Sequence, residues 1–148
     1  MEVRRILCPV DFSPASRSAL DVAADFARRF GAELTLLHVF HVPGYTLPEG
    51  VVLPSAEVIA DLFERIDRGL GEWRQIAEAA GAPKVETVSV EGVPWHEIVE
   101  RTRTGRFDLA VVGTHGHSGL RHVFLGSVAE KVVRHAACPV LTIRTPEA

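Results

Sequence analysis

Short apolar runs alternate along this chain with longer segments in which apolar residues recur every three or four positions. A short continuous apolar run is typical of a buried parallel strand, whereas the longer repeat places apolar side chains on one face of a helix. The pattern therefore predicts five strands, over residues 5–10, 33–39, 84–90, 107–112 and 139–143.

Four helices are predicted between these strands. The first begins at Ser13 and Pro14, an N-cap residue followed by a proline in the first turn, and ends at Gly31. The second covers about 55–80 and is closed by Gly81, the third begins at Pro94, and the fourth covers 127–135. The predicted inward side chains of the first three helices are Ala19, Leu20, Ala23, Ala27 and Phe30, then Ile59, Leu62, Phe63, Ile66, Leu70, Trp73 and Ala77, then Trp95, Ile98, Val99 and Thr102.

The segment 41–54 follows neither pattern. It contains three prolines and two glycines with scattered apolar residues, so we expect a loop without regular structure. A loop of this length usually has a function, but its residue types do not indicate which one.

Strict alternation of strand and helix predicts an α/β fold, a doubly wound five-stranded parallel sheet of strand order 3-2-1-4-5 with helices on both faces. The length of 148 residues fits one domain, spanning 1–148. In such sheets ligands bind at the carboxyl ends of the strands, where the strand order reverses. Here that point lies between the first and fourth strands, and the segments leaving them are 11–13 and 113–127.

The second of these segments is rich in glycine, with Gly113, Gly116, Gly119 and Gly126 within fourteen residues. Glycine allows positive φ and a close approach of the backbone to a ligand. Converging N–H groups, together with Ser127 at the start of the last helix, would suit phosphate oxygens. The alternative is a plain mobile loop in which Ser127 serves only as an N-cap.

The loop matches neither the GxxxxGK[ST] phosphate-binding loop nor the GxGxxG dinucleotide motif. It lacks the lysine that phosphoryl transfer places at the γ-phosphate, so nucleotide binding is favoured over turnover. The spacing Gly113-x2-Gly116-x9-Gly126-Ser127 instead resembles the nucleotide motif of the ATP-binding universal stress proteins. Residues 9–13, His38 with Val39, and 138–141 are also similar to the pattern of that family, so the resemblance spans the whole chain.

The resemblance implies that Asp11 contacts the ribose hydroxyls, while Val10 and Val39 line an adenine slot. A simpler interpretation of Asp11 is a turn residue beside a helix. The resemblance further implies that ribose and phosphates are held by Gly113, Gly116, Gly126, Ser127 and Val128, and the predicted site also includes Pro9, Val112, Thr114 and His117.

Three histidines, His115, His117 and His122, occupy the same loop, and imidazole is both a zinc ligand and a phosphate donor. A zinc site is not favoured, because neither a fourth ligand nor a supporting shell is evident. A solvated or phosphate-facing His117 is the favoured interpretation. Mg²⁺ accompanying ATP is the only metal expected.

Charge and composition restrict the partners further. The net charge of −3 gives no basic surplus for nucleic acid, and no stretch approaches the roughly 18 apolar residues of a membrane span. The apolar stretch at the start is too short for a secretory signal. Cys8 and Cys138 each lie in an apolar run, which fits small buried side chains in a reducing compartment. We therefore expect a cytoplasmic protein.

The last strand should lie at a sheet edge, where Val140, Leu141 and Ile143 offer little charge against pairing. The family resemblance implies a homodimer through this strand; the alternative is an edge covered by the tail. The resulting hypothesis is an ATP-binding stress-response protein that acts as a nucleotide-sensing dimer on an unknown regulatory partner and makes no chemical product. The alternatives are a slow ATPase or nucleotidyl-transfer enzyme, and a nucleotide-free dimeric interaction module.

Overall fold

Five parallel strands form the main sheet in a computed structural model, which describes residues 1–115 and 125–145. In chain order the elements are β1 (Arg5–Pro9), α1 (Pro14–Phe30), β2 (Glu33–Phe40), β3 (Tyr45–Leu47), β4 (Gly50–Val52), α2 (Ala56–Ala79), β5 (Lys84–Glu91), α3 (Pro94–Thr104), β6 (Leu109–Gly113), α4 (Ser127–His135) and β7 (Val140–Ile143). The sheet order is β5-β2-β1-β6-β7. This is the predicted order 3-2-1-4-5, so the predicted fold class is confirmed.

The strand residues serve two apolar layers, one on each face of the sheet. Ile6 and Cys8 of β1 pack with α1 and α2, whereas Leu7 packs with α3 and α4. Successive side chains of a strand point to opposite faces, which is why neighbours in β1 belong to different layers. Burial on both faces explains the continuous apolar runs of the sequence.

Helix α1 begins and ends at the predicted signals. Ser13 caps it by accepting a hydrogen bond from the Ser16 N–H at 3.2 Å, and Gly31 closes it in the left-handed conformation with a φ of 63°. The predicted inward alanines and Leu20 are buried. The prediction for Phe30 is wrong, since this ring is 53% exposed and lies edge-to-face against Phe26 in the last turn.

Helix α2 begins after its N-cap Ser55 and buries Ile66, Leu70 and Ala77. Phe63 was expected to face inward but is exposed, although its ring lies 5.5 Å from that of Phe40. Charged residues recur along the whole helix. In the described part of the chain, no helix is both long and apolar enough to cross a bilayer.

The segment 41–54 is not a structureless loop, and that prediction is wrong. Strands β3 and β4 pair antiparallel in a short hairpin, with Leu47 opposite Gly50. A φ of 134° at Gly50 closes the turn. Both strands are exposed along their whole length, so no alternation of buried and polar positions marks them in the sequence.

The two cysteines are free thiols in different environments. Cys8 is fully buried, and burial raises the pKa of its thiol to about 12, with a smaller contribution from the Asp21 carboxylate. Cys138 is half-buried, and burial also raises the pKa of its thiol. Only the thiolate is nucleophilic, so Cys8 is chemically inert and acts as a small apolar side chain.

Candidate functional site

The segments that leave β1 and β6 meet at the switch point of the sheet. Gly113, the last residue of β6, lies against the first turn of α1, where an added Cβ would be 2.7 Å from the Ala15 carbonyl oxygen. Glycine is therefore required there by a close backbone approach. Of the two features that glycine allows, positive φ and close backbone approach, Gly113 shows the second, and neither Gly113 nor Gly126 has positive φ; Gly116 and Gly119 lie outside the described residues.

The turn from β1 to α1 is held by its own polar groups. The Asp11 Oδ1 atom accepts a hydrogen bond from the Ser13 N–H at 2.9 Å, and the Asp11 N–H donates to the Ser16 Oγ at 3.3 Å. Between them Phe12 has a φ of 64°, a left-handed conformation that is rare for a bulky residue. Asp11 is therefore a turn residue, as the simpler interpretation expected, and it also borders the cleft described below.

Helix α4 begins without a side-chain cap. Its N-cap is Gly126, whose N–H donates to the Thr114 carbonyl at 2.6 Å and whose own carbonyl accepts the first intrahelical bond, from Glu130. Ser127 is thus the first helical residue and not the N-cap that the alternative expected, while most of the loop in that alternative lies outside the described residues. Its side chain is exposed, and the N–H groups of Ser127 and Val128 precede the first intrahelical bond.

A cleft of about 240 Å³ lies between these segments, on the face of the sheet covered by α3 and α4. Its floor is apolar, and α3 and α4 form its walls. It contains ten of the twelve predicted site residues, namely Pro9, Val10, Asp11, Val39, Val112, Gly113, Thr114, Gly126, Ser127 and Val128. The other two, Gly116 and His117, lie outside the described residues.

Seven further residues line the cleft that were not predicted as site residues: Ser16, Leu37, Pro94, Ile98, His115, Ala129 and Val132. Most of them are buried apolar residues of the core. The hydrophobic periodicity of the sequence does not distinguish a residue on the floor of a cleft from one in a closed core. Pro94 stands at the first turn of α3, which likewise has no side-chain cap. Ser16 and His115 could have been found by their closeness in sequence to the two switch-point segments.

Backbone polar groups also face the cleft. Pro9 and Leu37 form the last residue pair between β1 and β2, and the Leu37 carbonyl accepts a hydrogen bond from the Val10 N–H at 2.8 Å. Residues two apart on a strand direct their N–H and C=O groups to the same neighbouring strand. Val39 therefore directs both groups into the space beyond the end of β1, where a donor and an acceptor lie side by side.

The described lining of the cleft includes one carboxylate, Asp11, and one imidazole, His115, but no lysine or arginine. Positive potential at the mouth comes from the N-terminus of α4. Residues 1–115 and 125–145 contain no group of three side chains suited to a metal ion. His117 and His122 lie outside these ranges.

The fold is a doubly wound α/β sheet with a cleft at the switch point between β1 and β6, the place where such sheets bind ligands. This chain belongs to the universal stress protein family, whose model matches residues 2–144. A universal stress protein of Methanocaldococcus jannaschii is 40% identical over 147 residues, which cover 97% of this chain and 84% of the relative. The resemblance inferred from the motifs is confirmed.

Solved structures agree with this assignment. The universal stress protein UspA from Lactobacillus plantarum is 30% identical, with a TM-score of 0.83, and the match covers 97% of this chain and 99% of that chain. A universal stress protein in complex with cAMP is 28% identical, with a TM-score of 0.71, and the match covers 99% of this chain and all of that chain.

Proposed function

We propose that this protein binds ATP, accompanied by Mg²⁺, at the cleft between β1 and β6, and that residues 1–148 act as one nucleotide-sensing regulatory domain. The observation that carries the proposal is the N-terminus of α4, which begins at a glycine N-cap and has no side-chain cap among the described residues, beside an apolar cleft. The unpaired N–H groups and dipole of a helix N-terminus favour an anion, while the apolar floor favours a flat base.

The base is assigned to the apolar end of the cleft. Leu37 and Val39 form its floor, and Ile98 of α3 lies on the wall. The N–H and C=O of Val39 offer a donor and an acceptor side by side, which complement the ring N1 and the amino group of adenine. The family relative in complex with cAMP, an adenine nucleotide, supports this choice of base.

The sugar and phosphates are assigned to the polar end. Asp11 would accept hydrogen bonds from the ribose hydroxyls, and the start of α4 at Gly126, Ser127 and Val128 would bind the phosphates. Gly113 keeps the two segments close enough to share one ligand. Gly116 and His117 are proposed to complete the phosphate site, and Mg²⁺ would be coordinated mainly by phosphate oxygens and water.

Binding without turnover is the favoured activity. Phosphoryl transfer relies on cations at the γ-phosphate and a group that orients the nucleophile. The described lining of the cleft has neither a lysine nor an arginine. A slow ATPase or nucleotidyl-transfer activity on the same scaffold is the second candidate, supported by His115 at the cleft.

A homodimer through β7 is proposed as the unit that reports nucleotide occupancy to a regulatory protein in a stress response. β7 pairs with β6 on one side and is the last strand of the sheet within the described residues. Val140, Leu141 and Ile143 lie on this half-buried edge strand. We expect a dimer mass in sedimentation equilibrium across the micromolar range; a monomer mass throughout would contradict the proposal.

The proposed location is the cytoplasm, and the proposed partners include neither nucleic acid nor membrane. Both thiols are free, which suits a reducing compartment. The net charge is −3, so phosphate recognition has to come from local groups and not from the overall field of the protein.

Mass spectrometry of the small molecule that co-purifies with the protein tests the proposal, together with calorimetry in Mg-ATP. Intact ATP with measurable heat is the expected result, whereas released ADP and phosphate would favour the enzyme. No nucleotide and no heat would refute nucleotide binding altogether. Gly126→Val should abolish the heat, because its Cβ would lie 3.0 Å from the Thr114 carbonyl oxygen. Gly71→Val is the matched control, since no atom lies within 4 Å of its added Cβ.

A further inference from the structure

Phe12 is one of only two non-glycine residues with positive φ in the described part of the chain. The left-handed conformation costs an L-residue free energy, and such conformations persist where surrounding structure enforces them. Phe12 directly follows Asp11, and the hydrogen bond from the Ser13 N–H to the Asp11 carboxylate spans it. The conformation of Phe12 therefore determines where that carboxylate lies at the cleft.

The ring of Phe12 is held by residues from two other elements. It lies edge-to-face on Trp73 of α2, with ring centroids 5.2 Å apart, and 4.9 Å from the ring of His38. Gly69 of α2 leaves the space for it, since an added Cβ there would be 2.9 Å from the Phe12 Cζ atom. A glycine inside a helix lowers helix stability relative to alanine, so its presence needs a reason in packing.

A second contact holds the same turn from β2. The His38 Nδ1 atom lies 2.8 Å from the Val10 carbonyl oxygen, so it donates a hydrogen bond to the residue just before Asp11. Side chains of β2 and α2 thus hold the chain on both sides of Asp11. None of Phe12, Gly69 and Trp73 lines the cleft.

We propose that Phe12 is a positioning residue, which packs against Gly69, Trp73 and His38 to hold the Asp11 carboxylate in place for the ribose hydroxyls. This inference rests on the proposed nucleotide function. Helix α2 lies on the opposite face of the sheet from the cleft. The inference therefore means that α2 controls recognition of the sugar from the far side of the sheet.

The test compares affinities for Mg-ATP and Mg-2′,3′-dideoxy-ATP, which differ only in the two ribose hydroxyls. The wild type should bind ATP at least tenfold more tightly, because hydrogen bonds to a charged carboxylate are among the stronger ones. Phe12→Gly removes the ring and permits the same backbone conformation, so the preference should fall below threefold. Phe30→Ala, which removes an exposed ring from α1, should keep the wild-type preference.

Gly69→Ala provides a second variant in case Phe12→Gly does not fold. It alters no cleft residue and adds a favourable helix former, yet its methyl group pushes on the Phe12 ring; the preference for ribose should again fall. Folded variants that keep the full preference would overturn the inference, as would a wild type that binds both nucleotides equally. A wild type that binds neither nucleotide would instead refute the proposed function.

Discussion

Two helices, α1 and α4, begin at the switch point of the sheet, and their N-termini are built differently. At α1 the Ser13 hydroxyl accepts from the Ser16 N–H, and the Asp11 carboxylate accepts from the Ser13 N–H. At α4 the N-cap is Gly126, which has no side chain to offer. The polar groups at the start of α1 are engaged within the protein, whereas residues 1–115 and 125–145 offer no side-chain cap to the first turn of α4.

Under the proposed function, this difference gives the two helix starts different roles in the site. A helix N-terminus has N–H groups without intrahelical partners, and these are satisfied by a cap, by water or by a ligand. At α1 the Ser13 hydroxyl satisfies the Ser16 N–H within the helix, while under the proposed function the glycine cap at α4 leaves N–H groups for a phosphate. The two βα units have neighbouring strands, β1 and β6, yet under the proposed function only the second of their helix starts binds the anion.

The largest expected effect is at Gly113, where the end of β6 touches the start of α1. Gly113→Ala would place its Cβ 2.7 Å from the Ala15 carbonyl oxygen, a clash with backbone that cannot rotate away. We expect a loss of about 1–3 kcal/mol in the free energy of unfolding in urea, together with loss of ATP binding.

Gly71→Ala is the matched control for this substitution, because its added Cβ has no atom within 4 Å. It should stabilise the protein by up to about 1 kcal/mol, as alanine is the better helix former. Equal unfolding free energies for the two alanine variants would show that β6 and α1 do not approach as closely as described.

The next effect separates binding from stability at α4. Ser127→Ala should weaken ATP binding by about tenfold or more, because it removes a hydroxyl proposed to bond a charged phosphate. The unfolding free energy without nucleotide should change by less than about 0.5 kcal/mol, since Ser127 is exposed and caps nothing. Calorimetry of Ser18→Ala, a serine in the first turns of α1, should match the wild type.

Residue patterns predicted the strands and the helix starts because these depend on local signals, and the strand order followed from the doubly wound fold that their alternation indicates. Ser13 with Pro14 marks α1, and burial on both faces produces the apolar runs of β1 and β6. The hairpin β3–β4 could not be predicted, because its residues are exposed and carry no periodicity. The prediction that Phe30 is buried was wrong because helical spacing shows which face of a helix is apolar but not where the helix extends beyond the sheet it packs on.

The candidate site was predicted where a motif exists and missed where packing alone makes the cleft. Asp11 and Gly126 belong to recognisable segments, but Leu37 and Ile98 look like any core residue in the sequence. The residue pattern indicated two possible reasons for the glycines of this segment, positive φ and a close approach of the backbone to a ligand, and did not indicate a close approach to another helix. Gly113 is needed for space beside Ala15 and not for positive φ, a distinction that only the tertiary contact reveals.

A smaller effect is expected at the capped helix start. Ser13→Ala removes the acceptor of the Ser16 N–H and should cost about 1 kcal/mol of unfolding free energy. Because that hydroxyl serves α1 internally, ATP affinity should change by less than threefold. Ser55→Ala, which uncaps α2 in the same way, is the control and should lose similar stability. A large loss of affinity in Ser13→Ala alone would mean that both helix starts bind the ligand.

The smallest effect concerns the charge at the start of α4. Glu130 lies in its first turn, where a carboxylate stabilises the helix but also competes electrostatically with a phosphate for the same dipole. Glu130→Gln should therefore tighten ATP binding about twofold at low ionic strength, a gain that 0.5 M salt should remove. Glu64→Gln is the matched control, because Glu64 pairs with Arg68 on α2 as Glu130 pairs with Arg134 on α4. Weaker ATP binding by Glu130→Gln would place the phosphates away from the α4 N-terminus and end the contrast between the two helix starts.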